Sequence, residues 1–251
     1  MTPLSLRNRI GITIAACCAA AAALSQSDAL VVAAFSALPA GAALPEAWKP
    51  LGVSSAKNVT RYTLVEDGGA TVLRADSTAA ASALTRTIKV NPADYPILKW
   101  RWKISNVLKT SDIRLKEGDD YPARVYVMFD YPLEKLPFAE RTKIRMARAL
   151  HDPNLPAATL CYVWDGTAPA GTIVASSYTD RVRMIVVESG ASRVNQWLAV
   201  ERDVAADFKA AFGEDAPTVT AIAIATDTDN TGESVVAFYG DIYFYKHRVT
   251  K

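Results

Sequence analysis

Four aspartates and one arginine carry the chemistry this sequence could perform. Asp119 and Asp120 follow Gly118 at the start of an alternating segment, and Asp227 and Asp229 open the polar run from Thr226 to Glu233. Paired carboxylates at two loop ends fit three kinds of chemistry. They can hydrolyse a glycosidic bond if the pair stands roughly 5 to 9.5 Å apart. They can bind a hard cation such as calcium through oxygens at alternate positions. They can also do no more than hold turns through Asx hydrogen bonds. A full EF-hand is excluded, because the twelfth position counted from Asp227 is Phe238. Four carboxylates close together repel unless a cation answers them, and Arg124 is the nearest in sequence to Asp120. The expectation is a cluster of Asp119, Asp120, Asp227 and Asp229 at one end of the fold beside Arg124, with calcium as the alternative counter-charge.

Nucleophilic hydrolysis has little to stand on. No Gly-x-Ser-x-Gly elbow occurs, and the only histidines are His151 and His247. A second set of residues suggests binding instead. From Leu98 to Ile104 apolar and basic residues alternate, with Lys99, Arg101 and Lys103 opposite Trp100 and Trp102; from Ala123 to Phe129, Arg124 and Tyr126 oppose Val125 and Val127. Arg183 and Trp164 stand in similar alternating runs. A cation centred on a strand must meet solvent or a partner, since burying it alone costs several kcal/mol or more. Arg101, Arg124, Tyr126, Trp164 and Arg183 could line a groove in which sugar faces stack on rings and hydroxyls bond to charges. The alternative is an internal network, with these side chains under a helix at 137–150 and paired to Asp119, Asp120 or Glu188.

The elements that must position these residues are mostly strands. Arg61 to Val65 and Ala70 to Ala75 flank Glu66-Asp67-Gly68-Gly69, a hairpin turn. Strands are also expected at 81–90, 98–104, 123–129, 158–164, 172–178, 181–188, 196–202, 218–225 and 235–245. One long helix is expected at 137–150, with Ala139, Thr142, Met146, Leu150 and Phe138 facing inward, and a short one is capped by Asp203 and closed by Gly213. Short strands with turn signals and two minor helices predict an all-β, jelly-roll-like sandwich of the galactose-binding-like kind.

Composition narrows the setting. Residues 1–29 read as a secretory signal peptide, with Arg7 and Arg9 before the apolar run Ile10 to Leu24. Residues 30–47 read as an extended leader, and 48–251 as one sandwich domain. Ile14-Ala15-Ala16-Cys17 has the look of a lipoprotein cleavage box, yet few apolar residues precede it. Loss of the signal leaves 26 basic and 25 acidic residues, so no field for nucleic acid exists. It also leaves Cys161 alone, which excludes a disulfide framework or a multi-cysteine metal site. A periplasmic or secreted monomer, with no membrane insertion of the mature chain, is the expectation.

Six ordered motifs extend this reading: Trp100-Arg101-Trp102, Gly118-Asp119-Asp120-Tyr121, Arg124-Val125-Tyr126-Val127, Tyr162-Val163-Trp164, Arg181-Val182-Arg183 and Asp227 through Gly232. Together, from about Trp48 to Phe244, they resemble a bacterial exported family, domain of unknown function 3047. That resemblance implies no activity. The closing segment Gly240-Asp241-Ile242-Tyr243-Phe244 is more loosely similar to jelly-roll carbohydrate-binding modules. The function expected from all this is non-catalytic binding of a glycan or other polar ligand on an Arg/aromatic sheet face. The alternatives are a carboxylate-dependent glycan hydrolase and a scaffold domain of a cell-envelope complex.

Overall fold

The computed structural model describes residues 28–52, 58–150, 153 and 155–247. The expected signal segment up to residue 27 and His151 lie outside the described residues. In chain order the strands are β1 (Ala29–Ala33), β2 (Lys49–Gly52), β3 (Arg61–Asp67), β4 (Ala70–Thr78), β5 (Ala81–Val90), β6 (Ile97–Ile104), β7 (Ala123–Phe129), β8 (Ala158–Asp165), β9 (Ile173–Ser176), β10 (Thr179–Ser189), β11 (Leu198–Asp203), β12 (Val219–Asp227), β13 (Ser234–Tyr239) and β14 (Ile242–Tyr245). Helix α1 (Phe138–Leu150) joins β7 to β8, and α2 (Val204–Phe212) joins β11 to β12. No helix among the described residues is long and apolar enough to cross a membrane.

The strands make two sheets of seven, a jelly-roll-type sandwich. The first runs β1-β14-β6-β13-β4-β3, with β11 along the other edge of β6; the second runs β2-β5-β12-β7-β8-β10-β9. Pairing is antiparallel throughout, except between β8 and β10. The β3–β4 hairpin closes through Gly68 and Gly69, both at positive φ (64° and 79°), where a side chain would be strained. Period-two alternation then fills the space between the sheets. Trp100 and Trp102 of β6 meet Tyr162 and Trp164 of β8, with ring centroids 5.3 Å and 6.2 Å apart, and all four side chains are buried. Asp203 caps α2 by accepting from the Ala206 N–H, and Gly213 ends it in the left-handed region. The helix sinks Phe208 onto Phe129, centroids 4.6 Å apart.

Three expectations need correction. The expected leader at 30–47 begins inside the domain: β1 pairs with β14, and Val32, Ala33 and Phe35 are in the core. The segment 235–245 is two strands, because Gly240 lies against Arg101. A Cβ there would come within 2.5 Å of the Arg101 side chain, and the Gly240 N–H donates to the Arg101 carbonyl at 2.9 Å. Helix α1 is rotated from its expected setting. It buries Ile144 alone, while Phe138, Met146 and Leu150 are exposed, because Arg148 is held inward by the Leu155 carbonyl.

The Trp164 environment makes a direct prediction. Trp164→Ala should lower stability by about 3–5 kcal/mol, as large aromatic truncations in close-packed cores do, read as a fall in the urea midpoint. A change below about 1 kcal/mol, typical of surface positions, would place the ring outside the core.

Candidate functional site

The acidic residues do converge. The chain enters β7 through a turn at Lys116–Gly118 that brings Asp119, Asp120 and Tyr121 against the end of β12. Asp227 ends β12 on the same outer face of the second sheet as Arg124. Arg124 is buried there. Its Nε donates to Asp227 Oδ1 at 2.9 Å and its Nη2 lies 2.5 Å from Asp227 Oδ2; Asp119 Oδ1 is 3.5 Å from Nη1. The same guanidinium bonds to the Asp119 carbonyl and the Tyr126 hydroxyl, and it stacks on the Tyr121 ring at 4.3 Å. Burial pushes the Asp227 carboxyl up to about 7 against the pull of Arg124, and the charge of Asp120 pushes the same way. Burial and Asp120 likewise raise Asp229, and burial raises Asp119 despite Arg124. One oxygen each from Asp120, Asp227 and Asp229 lies within 4.8 Å of the others.

The expected groove does not form. Arg124 and Tyr126 face outward on the second sheet, under the connection from β6 to β7, whose Ile113 and Tyr121 pack on Cys161, Val163 and Met184. Burial also pushes the Cys161 thiol up to about 12, which makes it an inert packing residue. Trp164 points the other way, into the core, where its Nε1 donates to the Gly190 carbonyl at 3.0 Å. Arg183 lies on the inner side of β10 with Ile185, its guanidinium 5.5 Å from the Phe212 ring. Arg101 belongs to the other sheet entirely. Alternation fixes which residues of one strand share a face, but not which sheet that strand joins.

Arg101 nevertheless stands on a face of cations and rings. On the outer side of the first sheet its guanidinium lies 4.5 Å from the Trp197 ring, and Lys103 lies 5.4 Å from Trp197 and 4.4 Å from Phe238. Arg74 covers Phe238 from β4 at 5.8 Å, and Lys99 lies 5.4 Å from Tyr245. Asp67 fixes this ladder: it accepts from Lys103 Nζ at 2.6 Å and from Trp197 Nε1 at 2.8 Å. These bonds outweigh burial and hold the Asp67 carboxyl below the usual carboxylate range. Beyond Phe238 the same face opens into a cavity of ≈ 180 Å³ bordered by Asp76, Thr78, Ser105, Asn106, Ser234 and Val236. Sequence reasoning had Lys99, Arg101 and Lys103 on one face but missed Trp197, Phe238 and Tyr245. The usable signal was there: Phe238 alternates with buried Ala237 and Tyr239, and Tyr245 with buried Phe244.

A family model described as "protein of unknown function (DUF3047)" matches residues 46–243. The chain belongs to this family. A search of curated proteins gives no match. Solved structures overlap weakly with this member of DUF3047. A family 29 carbohydrate-binding module mutant complexed with cellulohexaose is 11% identical, with 87% of this chain and 92% of that one covered and a TM-score of 0.34. The family GH12 endoglucanase 3 of Trichoderma harzianum is 8% identical over 79% of this chain and 93% of that one, TM-score 0.38. Scores of this size carry no argument about ligand or chemistry.

The two faces should answer differently to loss of a cation. Arg124→Met leaves buried carboxylates unpaired and should cost about 3–5 kcal/mol. Arg101→Met, on a half-exposed face, should cost less than about 1 kcal/mol. Guanidinium denaturation of both variants checks this, and equal losses would contradict the assignment of Arg124 as the buried one.

Proposed function

We propose that this DUF3047 protein is an exported, non-catalytic β-sandwich that binds a glycan or another polar polymer on the outer face of its first sheet. The observation that carries the reading is the ladder of Arg74, Phe238, Lys103, Trp197 and Arg101, running beside a cavity edged by hydroxyl and amide groups. Rings that are half-exposed on a rigid sheet offer flat apolar area at little entropic cost, and the cations between them supply charge-assisted hydrogen bonds to hydroxyl or acidic groups. Asp67 preorganises the row by bonding to both Lys103 and Trp197. Export rests on the basic and then apolar opening of the sequence.

The carboxylates support the non-catalytic half of the proposal. A glycosidase needs both carboxyl groups at the scissile bond. Asp120 is wholly buried, both oxygens of Asp227 are engaged by Arg124, and Asp119 is paired with the same guanidinium, which leaves half-exposed Asp229 without a free partner carboxylate.

A glycan array followed by calorimetry on the best ligand tests the reading, with Trp197→Ala and Arg101→Ala beside wild type. Binding without released product is expected, weakened at least about tenfold by Trp197→Ala, equivalent to about 1.4 kcal/mol. Released oligosaccharide would favour the hydrolase reading. Absence of binding to any polysaccharide would leave the scaffold reading, and binding indifferent to Trp197 would move the site off this face.

A further inference from the structure

The acidic end of the sandwich has a feature that turns alone do not explain. Asp120 is fully buried, yet only its Oδ2 is satisfied, by the Thr231 N–H at 2.6 Å; its Oδ1 has no hydrogen-bond partner. A buried charged oxygen without a partner is expensive. The Asp229 carboxyl lies in contact with that of Asp120. Two ionised carboxylates are acceptors only, so such contact is stable only when a proton or a cation stands between them.

Arg124 does not fill that role. Its nitrogens are spent on both oxygens of Asp227, on Asp119 and on Tyr126. Among the described residues no lysine or arginine forms an ion pair with Asp120 or Asp229. Four carboxylates therefore face one guanidinium. The excess falls on Asp120 and Asp229, the two carboxylates of the cluster that Arg124 does not pair with.

We propose that Asp120, Asp227 and Asp229 hold a calcium ion that fastens the 226–233 loop to the entry of β7. Calcium takes oxygen ligands at roughly 2.3–2.6 Å in an irregular shell of about 6–8. Ligand oxygens on such a shell lie up to roughly 5 Å apart, and the three carboxylate oxygens here lie within 4.8 Å of one another. Asp227 can contribute through Oδ2: its Oδ1 already accepts from Arg124 Nε and from the Tyr121 N–H, whereas Oδ2 meets Arg124 Nη2 and keeps a second lone pair. Asp120 Oδ1 supplies the buried anchor, and Asp229, half-exposed at the tip of the loop, closes the site from the solvent side. The 226–233 loop is itself tied down by the Asn230 side chain on the Lys116 carbonyl, and by Glu233 on the Lys109 and Thr110 N–H groups. It can therefore present its carboxylates without ordering on binding.

Calorimetric titration of chelator-treated full-length protein with calcium chloride, paired with thermal unfolding, tests the site. One ion per chain is expected. Saturation to about 100 times Kd should raise Tm by roughly 5–10 °C, while sodium chloride at matched ionic strength should not. Asp229→Asn, at a half-exposed loop position that tolerates change, should weaken calcium at least about tenfold, and Asp120→Asn should abolish binding. Asp215→Asn, at an exposed carboxylate paired with Lys209 near the end of α2, should leave it intact. No heat and no Tm shift up to millimolar calcium would overturn the proposal, and so would calcium binding unchanged by Asp229→Asn. An equal response to magnesium would overturn the assignment to calcium.

Discussion

A guanidinium placed in the middle of a sheet sets the terms for one half of this molecule. Arg124 lies on β7 between β12 and β8, and its side chain cannot reach bulk water. Removing such a charge from water costs several kcal/mol even after relaxation. The chain around it is arranged to offset that cost: Asp227 from the end of β12, Asp119 from the turn before β7, the hydroxyl of Tyr126 and the ring of Tyr121. Two loops far apart in sequence, at 116–121 and 226–233, meet because each brings an acceptor to the same cation. Their meeting also leaves more negative charge than one arginine can answer.

The first sheet handles its cations by the opposite device. Lys99, Arg101, Lys103 and Arg74 stay partly exposed and lie over rings, and three of them are paired there with carboxylates, Lys99 with Glu201, Lys103 with Asp67 and Arg74 with Asp76. Partly exposed pairs of this kind contribute little to folding stability. The contrast between the two outer faces is one of accessibility, since both contain arginine and aromatic residues. On the second sheet the 105–122 connection covers the face; on the first the corresponding surface stays open.

Much of the fold was legible because period-two alternation is a property of each strand by itself. The strands at 81–90 and 123–129, the β3–β4 turn and both caps of α2 came directly from residue types whose local preferences agree with the final structure. Alternation does not reveal partners. Trp164 and Tyr126 belong to adjacent strands, yet they point to opposite sides of their sheet, which is invisible until the β7–β8 register pairs Ala123 with Trp164. Helix α1 was misplaced for a related reason. Its apolar residues cover more than one face, and the choice went to the face with Ile144 and Arg148, settled by a carbonyl seven residues further on. The acidic cluster was legible because electrostatics acts across any sequence distance: four carboxylates near strand ends required a cation, and one strand carried it.

Strand β13 links the two regions. Phe238 faces outward into the cation–aromatic ladder, while the next residue, Tyr239, crosses the core to the second sheet. There its hydroxyl donates to the Ala225 carbonyl at 2.6 Å, shares a hydrogen bond with Thr226, and accepts from the Arg124 N–H. One strand thus seats a ring at the proposed binding face and a hydroxyl beside the buried arginine. β13 is hydrogen-bonded on both edges, to β4 and to β6, and a strand held on two sides transmits position instead of choosing between arrangements. Coupling between distant sites requires an element with two states that both sites bias. Tyr239 acts as a fixed strut, so the ladder and the acidic end contribute independently, and substitutions in one should combine additively with substitutions in the other.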